Sequence, residues 1–283
     1  MRWSPGHRSS NVEDQRGSGG RFIRGAGGMG LGTVVILLVL SLIFKRDMFQ
    51  LVSDGSVGAA PTAPAGAPVE ASPEEQRLVE FVSFVLDDAQ AVWDSVLPGH
   101  GARYRPARLV LFRDAIQSAC GFAESATGPF YCPADEKVYI DLGFYQELQE
   151  RFGAPGDFAQ AYVLAHEIGH HVQNVLGTEG EVRRARGARP DVANELSVRL
   201  ELQADCYAGV WAHSTAQRQL LERGDVEEGL GAAAAVGDDR IQRMGGGRVA
   251  PEAFTHGSSE QRMRWFRQGM DSGRPQTCDT FGG

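Results

Sequence analysis

Residues 165–174, AHEIGHHVQN, contain a histidine–glutamate–x–x–histidine pattern formed by His166, Glu167 and His170. On a helix, residues four apart project from one face about one turn apart, so the two imidazoles could bind one tetrahedral ion. The glutamate between them would not bind the ion. It could accept a proton from a water molecule that zinc has activated for attack on a carbonyl group. The pattern is typical of zinc-dependent hydrolases.

A catalytic zinc site needs a third protein ligand and an open fourth position. The later stretch ELQADCYAGVWA places Glu201 and Asp205 four apart on one predicted helix face, among apolar neighbours that disfavour a solvent-facing acid pair. We expect Glu201 to bind zinc. We expect Asp205 to accept a hydrogen bond from the second ring nitrogen of His166, which would fix the histidine tautomer. The other candidates for the third ligand are Glu195, His213 and His256.

The elements that must position these residues follow from apolar spacing and turn residues. Ser72, Pro73 and Glu75 form a helix-start signature, which predicts a helix that ends near residue 97. Runs rich in β-branched and aromatic residues predict strands at 108–112 and 137–142, with a further strand and hairpin between them. Later helices are predicted over residues 144–151, 157–176, 191–215, 216–222, 225–244 and 259–268, the last capped by Ser258 or Ser259. A small early sheet before a mostly helical region predicts the α+β class.

The N-terminal region differs from the rest of the chain in composition. Residues 1–28 are rich in glycine, serine and arginine and predict a disordered cytoplasmic tail. Residues 29–46 begin with sixteen uncharged, mostly apolar residues and predict one transmembrane helix. More arginines precede this segment than follow it, which places the N-terminus in the cytoplasm, and KRDMFQ after it favours an uncleaved anchor. Residues 47–72 predict a Pro/Ala/Gly-rich tether, and residues 73–283 a domain outside the cytoplasm.

The charge of the chain limits the classes of partner. The formal net charge is −8 and the isoelectric point is about 5.4, so a nucleic-acid binder is excluded because phosphate contacts require a basic surface. The 42% of hydrophobic residues is enough for one substantial folded domain. With nucleic acid excluded, the partners expected from the metal-binding pattern and the apolar segment are a protein or peptide substrate and, through the anchor, the membrane.

The four cysteines predict disulfides if the domain lies in an oxidising compartment. Three pairings are possible. The short separation of Cys120 and Cys132 favours their pairing, which would leave Cys206 to pair with Cys278. A zinc cluster is the alternative, and the absence of a Cys-x-x-Cys motif disfavours it.

The chain combines SACG, GPFYCPADEKVYIDL, LAHEIGHHVQN, RLELQADCYAGVWA and THGSSEQRMRWF behind SSNVEDQRG and one apolar segment. Over nearly its whole length it resembles the neutral zinc metallopeptidases of bacterial inner membranes. The resemblance implies a zincin-like domain of the glutamate-ligand type. It implies one Zn²⁺ on His166, His170 and Glu201, with Glu167 as the base of an endopeptidase that acts on extracytoplasmic proteins or peptides. The alternatives are a catalytically idle zinc module that docks partner proteins and a zinc-stabilised structural ectodomain.

Two further residues are catalytic candidates by a second resemblance. His256 and Arg262 are similar, in their six-residue spacing after the third ligand, to a histidine and an arginine of membrane-associated CAAX prenyl and heat-shock-type proteases. In this hypothesis His256 donates to the oxyanion, and Arg262 supports the site or binds a substrate carbonyl. Helix capping and a surface arginine are the alternative. We expect His171 to be a packing or supporting group, and residues 128–134 to form a strand edge for an extended substrate.

Overall fold

The structure is a computed structural model that describes residues 1–17 and 71–282. Its architecture is α+β, with six strands and eight α-helices in the described ranges. The strands are β1 (Val12–Asp14), β2 (Arg108–Phe112), β3 (Ala115–Ser118), β4 (Gly121–Glu124), β5 (Phe130–Cys132) and β6 (Lys137–Asp141). The helices are α1 (Pro73–Val96), α2 (Gly143–Glu150), α3 (Asp157–Leu176), α4 (Thr178–Ala188), α5 (Ala193–Gln217), α6 (Asp225–Ala235), α7 (Asp238–Met244) and α8 (Ser259–Ser272).

A four-stranded mixed sheet has the order β1-β2-β6-β5. The first three strands are parallel, and β5 pairs with β6 in the antiparallel direction. Leu109 and Leu111 on β2 lie opposite Val138 and Ile140 on β6, and all four side chains are buried in the main core beneath the helices. β3 and β4, which the sequence reading did not predict, form a separate two-stranded hairpin.

The beginning of the chain belongs to the folded domain. The prediction of a disordered tail over residues 1–28 is therefore wrong for residues 1–17. β1 is an edge strand that pairs with β2, and the backbone N–H of Leu109 donates to the carbonyl of Asn11 over 2.9 Å. Met1 is buried. The sequence of this short strand shows no apolar periodicity. The strand is stabilised instead by pairing with β2, about a hundred residues later in the chain.

The transmembrane helix predicted over residues 29–46 is the part of the fold class that needs correction. Within residues 1–17 and 71–282, no helix is both long and apolar enough to cross a bilayer. Residues 29–46 lie outside the described residues, as does the tether up to residue 70. A single span would separate the chain before it from the chain after it, but β1 and β2 share one sheet. This sheet is therefore incompatible with the predicted single-pass arrangement.

Several helix boundaries also differ from the prediction. The helix predicted over residues 216–222 is absent: α5 ends at Gln217, and the chain reaches α6 through a loop. The single helix predicted over residues 225–244 is two helices, α6 and α7. The break brings the Asp238 carboxylate to the backbone N–H groups of Thr255 and His256, each at 2.7 Å. Hydrogen bonds to a distant loop therefore favour the break over a continuous helix, and sequence periodicity does not show them.

Two of the helix starts that were predicted correctly follow from side-chain capping. The Ser72 hydroxyl accepts from the N–H of Glu75 at 3.1 Å, and Pro73 stands at the first position of α1. At α8, Ser258 is the cap. Its hydroxyl accepts from the N–H of Gln261, and the Gln261 side chain accepts from the N–H of Ser258.

Both predicted disulfides are present. The hairpin disulfide, Cys120–Cys132, joins the β3–β4 turn to β5, and the C-terminal disulfide, Cys206–Cys278, joins α5 to the end of the chain. The described residues contain no free cysteine. The C-terminal disulfide lies in the core, next to the helices that carry the predicted zinc ligands.

Candidate metal centre

The predicted ligands come together because α3 and α5 cross at very short range. Gly169 lies between the two predicted histidine ligands, and a Cβ atom added there would be 2.9 Å from the backbone oxygen of Ala204. That distance is shorter than real Cβ contacts, so the crossing requires glycine at this point of α3. Ala204 lies between Glu201 and Asp205 on α5, so the close approach brings both carboxylates to the histidines.

His166, His170 and Glu201 each offer a donor atom, and these atoms lie within 4.8 Å of one another. Nε2 of His166 is 3.2 Å from one carboxylate oxygen of Glu201, and Nε2 of His170 is 3.5 Å from the other. Two imidazole nitrogens and one carboxylate are a ligand set that zinc prefers in catalytic sites. The chemistry of these three donors therefore fits a zinc ion.

The second ring nitrogen of His166 has the partner that was predicted for it. Nδ1 of His166 is 2.8 Å from Oδ1 of Asp205, and that carboxylate is fully buried. The hydroxyl of Tyr162 donates to the same oxygen. The carboxylate therefore fixes the His166 ring with Nε2 facing the ligand cluster, as a supporting acid does in zinc sites.

His170 is oriented by an amide rather than by an acid. Nδ1 of His170 is 2.9 Å from the side-chain oxygen of Gln173, which is buried on the same helix. The Gln173 amide donates to the carbonyl of Leu200 at 2.7 Å and to the side-chain oxygen of Gln203 at 3.1 Å. Since the donor end of Gln173 is held by two acceptors on α5, its oxygen faces His170, which must then carry its proton on Nδ1.

The charges of the cluster shift the pKa values of its members in the absence of zinc. Burial lowers the pKa of His166, but the carboxylates of Asp205 and Glu201 outweigh it, so the net shift is upward. For His170, burial again opposes the shift, yet Glu201 raises the pKa to about 10. Burial alone would raise the Glu201 pKa, and the two histidines hold it well below its ordinary value. Without zinc, these shifts favour protonation of the two histidines beside an ionised Glu201 carboxylate.

Glu167, the predicted base, is buried beside the ligands. None of the described residues donates a hydrogen bond to its carboxylate. Burial raises the pKa of Glu167 above its ordinary value, and the neighbouring histidines reduce that shift. A carboxylate that is desolvated and free of hydrogen-bond donors is a stronger base than a solvated one.

Arg262 supports the site and is not exposed to a substrate. It is 3% exposed, and its guanidinium group donates to both oxygens of Asp205, over 2.8 Å from Nε and 2.9 Å from Nη2. Nη2 also lies 3.3 Å from the Tyr162 hydroxyl. Of the two roles predicted for Arg262, this position agrees with supporting the site. Its engagement with Asp205 is at odds with binding a substrate carbonyl.

His256 lies at the rim of the site. Its side chain is half exposed, and Nδ1 is 3.1 Å from Oδ1 of Asp238. The hydrogen bond to Asp238 raises the pKa of His256, and the charge of Glu201 adds to this while Arg262 opposes it. No described residue contacts Nε2 by a hydrogen bond. Protonated His256 could therefore present an N–H group to a bound molecule.

The remaining candidates lie away from the cluster. Glu195 is exposed and pairs with Arg199, and Nδ1 of His213 is 2.7 Å from the carbonyl of Met270. His171 is fully buried, with its two ring nitrogens bonded to the Arg105 carbonyl and the Tyr131 hydroxyl. From α3 it packs against Tyr131 of β5 as a supporting group.

Two functional residues were missed by the sequence reading. Tyr162 lies one helical turn before His166, and Gln173 one turn after His170, so helical spacing places both on the ligand face of α3. That spacing was the available signal. It does not reveal a partner, however, because the groups that Tyr162 and Gln173 bind lie on α5 and α8.

Comparison with known proteins agrees with this geometry. The chain matches the family described as "Putative neutral zinc metallopeptidase" over residues 1–281. It is 44% identical over 287 residues to the uncharacterized protein YpfJ of Escherichia coli K12, an alignment that covers 100% of this chain and 99% of YpfJ. It is 47% identical over 206 residues to the uncharacterized protein Rv2575 of Mycobacterium tuberculosis H37Rv, covering 69% of this chain and 68% of Rv2575. No solved structure matches the chain. The chain belongs to this family of neutral zinc metallopeptidases.

Proposed function

We propose that the protein is a zinc-dependent endopeptidase with one zinc ion held by His166, His170 and Glu201. The observation that carries the proposal is the convergence of three donor atoms within 4.8 Å, on two helices whose crossing leaves no room for a side chain at Gly169. Zinc bound there would lower the pKa of a coordinated water and polarise a substrate carbonyl. Both effects would promote hydrolysis of a peptide bond at neutral pH.

In this proposal, the Glu167 carboxylate accepts a proton from the attacking water. Its burial and its raised pKa bring its proton affinity closer to neutrality, where a general base works best. The same carboxyl group, once protonated, can deliver the proton to the nitrogen of the leaving amine. Glu167 needs no other partner for this exchange, and no described residue competes for its carboxylate.

His256 would stabilise the oxyanion that forms as the carbonyl is attacked. Its Nδ1 side is held by Asp238, which itself is fixed by backbone N–H groups of the same loop, so Nε2 is presented in one orientation. The raised pKa of His256 favours the protonated form that can donate. A donor held in place before the reaction stabilises developing charge more than a mobile one does.

A substrate backbone would bind along β5. This strand is at the edge of the sheet, and among the described residues its outer side pairs with no strand. β5 lies against the active-site helix α3, where Tyr131 contacts His171 and Asn174 through its hydroxyl. An extended peptide added beside β5 would gain backbone hydrogen bonds without a sequence requirement. A protein or peptide substrate is therefore favoured.

The domain is proposed to work outside the cytoplasm. The two disulfides support this location, because such bonds persist in oxidising compartments and are rare in the cytosol. The cytoplasmic N-terminus predicted from the positive-inside rule is not part of this proposal, since residues 1–17 pack into the same domain.

The deciding experiment compares Glu167→Gln with Glu195→Gln, a substitution of an exposed glutamate on α5. Zinc content is measured by elemental analysis, and cleavage is measured on a broad peptide library. We expect about one zinc per chain in both variants, with cleavage lost only in Glu167→Gln. Equal cleavage by the two variants would sink the mechanism and leave a zinc-binding module that docks partner proteins. Loss of zinc on Glu201→Ala completes the test of the ligand set.

A further inference from the structure

The amino group of the first residue lies in a pocket of carboxylates. The Met1 nitrogen is 2.6 Å from Oδ1 of Asp157 and 3.4 Å from Oδ1 of Asp225, and a carboxylate oxygen of Glu222 is 3.7 Å away. The Met1 side chain is inaccessible to solvent and belongs to the main core. The start of the chain is therefore inserted into the domain.

The carboxylates of this pocket need a positive partner. Oxygens of Asp157, Asp225 and Glu228 lie within 4.8 Å of one another, and the Asp225 side chain is only 5% exposed. A buried carboxylate among like charges is costly unless it is paired. The starts of α3 and α6 offer backbone N–H groups that favour acids, but the α-amino group is the cation closest to Asp225 among the described residues.

The pocket is also the beginning of the helix that carries the proposed catalytic residues. Asp157 is the first residue of α3, and the Phe158 N–H donates to Glu228 over 3.1 Å. The backbone N–H of Arg2 donates to the Leu220 carbonyl over 2.7 Å, in the loop between α5 and α6. The inserted N-terminus thus joins the start of α3, the start of α6 and the loop before α6.

We propose that this pocket is a binding site for the free α-amino group of the chain, and that the chemical state of that group controls the stability of α3. A formyl or acetyl group removes the charge. An added residue moves the charge away from the pocket and forces Met1 out of its buried position. Either change leaves Asp225 buried among acids, and it loosens the start of the helix nine residues before His166. This inference concerns folding and zinc retention, and it does not depend on peptidase activity.

The first test measures how accessible the amino group is. The chain has only three primary amines, at Met1, Lys45 and Lys137, so reductive methylation of the folded full-length protein can be mapped for each by mass spectrometry. We expect the Met1 amine to react at least about tenfold more slowly than in a peptide of residues 1–6, because reaction requires local opening. Asp225→Asn should abolish most of this protection. An amine that reacts as fast as the free peptide overturns the proposal.

The second test blocks the site. A full-length chain with an uncleaved Gly-Ser extension before Met1 is compared with one that carries the same residues at its C-terminus, after intact mass has established each N-terminus. We expect the N-terminal extension to lower Tm by several degrees and to reduce zinc retention during dialysis. With a free N-terminus, Asp225→Asn should also lower Tm. In the extended chain it should raise Tm or leave it unchanged, because the unpaired charge is removed.

The proposal therefore predicts that the Tm changes caused by the N-terminal extension and by Asp225→Asn are not additive. Additive losses of Tm would mean that the extension only crowds the surface, which overturns the proposal, as would an extended chain with the Tm and zinc content of the control. Should the extended chain fail to fold, the labelling of the unmodified chain and of Asp225→Asn still decides the question.

Discussion

The crossing of α3 and α5 provides a sharp test of how the proposed ligands are positioned. Replacing Gly169 with alanine places a Cβ atom 2.9 Å from the Ala204 oxygen and 3.1 Å from the Ala204 Cα atom. Both are backbone atoms of α5, so no side-chain rotation can relieve the contact. The helices must instead separate by roughly half an ångström to reach ordinary van der Waals distance.

The size of the effect follows from two opposing contributions. Overpacking of this kind costs about 1–3 kcal/mol. Alanine in place of glycine within a helix returns about 0.5–1 kcal/mol. We therefore expect Gly169→Ala to lower the free energy of unfolding of the zinc-free protein by about 1 kcal/mol, and by at most about 2.5 kcal/mol. Because Glu201 and Asp205 move away from the histidines with α5, zinc affinity should also fall, by about tenfold.

The assay is urea unfolding of the zinc-free protein together with zinc titration against a competing chelator. Gly231→Ala on α6 is the matched control, because a Cβ atom there has no neighbour within 4 Å. That variant should be up to about 1 kcal/mol more stable than the wild type, with unchanged zinc affinity. If Gly169→Ala behaves like the control in both measurements, the close crossing does not set the ligand geometry.

Three other perturbations have defined outcomes. Arg262→Met leaves the Asp205 carboxylate buried without its cation and should destabilise the protein by about 3–5 kcal/mol in thermal or urea unfolding, whereas adding Asp205→Asn should recover part of the loss. Zinc affinity should rise by at least about tenfold from pH 6 to pH 7, because the pKa of His170 is raised to about 10 and zinc must displace its proton, while the raised pKa of His166 steepens the dependence; a titration that shows no pH dependence contradicts this protonation. Replacing both cysteines of the C-terminal disulfide with alanine should cost about 1.6 kcal/mol more than the same change in the hairpin disulfide, because the sequence separations are 72 and 12; equal losses would contradict the loop-entropy estimate.

The grouping of the proposed ligands could be predicted from the sequence because its information is local. His166 and His170 are one turn apart on α3, and Glu201 and Asp205 are one turn apart on α5, so helical spacing alone gives each pair its common face. The disulfide pairing could also be predicted, because the short separation of Cys120 and Cys132 favours their pairing and leaves Cys206 to pair with Cys278. The approach of α3 to α5 could be read only from the structure, where Gly169 touches the backbone of Ala204.

The sequence did not reveal the hydrogen-bond partners of Arg262 and Gln173. For Arg262 the sequence left two roles open, supporting the site or binding a substrate carbonyl, because its hydrogen-bond partner was not known. In the structure its guanidinium group pairs with Asp205, which lies 57 residues earlier in the chain. Gln173 had no assigned role for the same reason, since the groups that fix its amide lie on another helix.

The N-terminal residues show the same limit most clearly. Composition predicts disorder when a segment cannot bury enough apolar surface by itself. Residues 1–17 instead fold by using surfaces that the rest of the chain provides: β2 pairs with β1, and the acids at the starts of α3 and α6 receive the Met1 amine. These contacts span 156 and 224 residues for the amine alone. A periodicity search within a short window contains neither partner, so a glycine- and arginine-rich beginning is not by itself evidence of a tail.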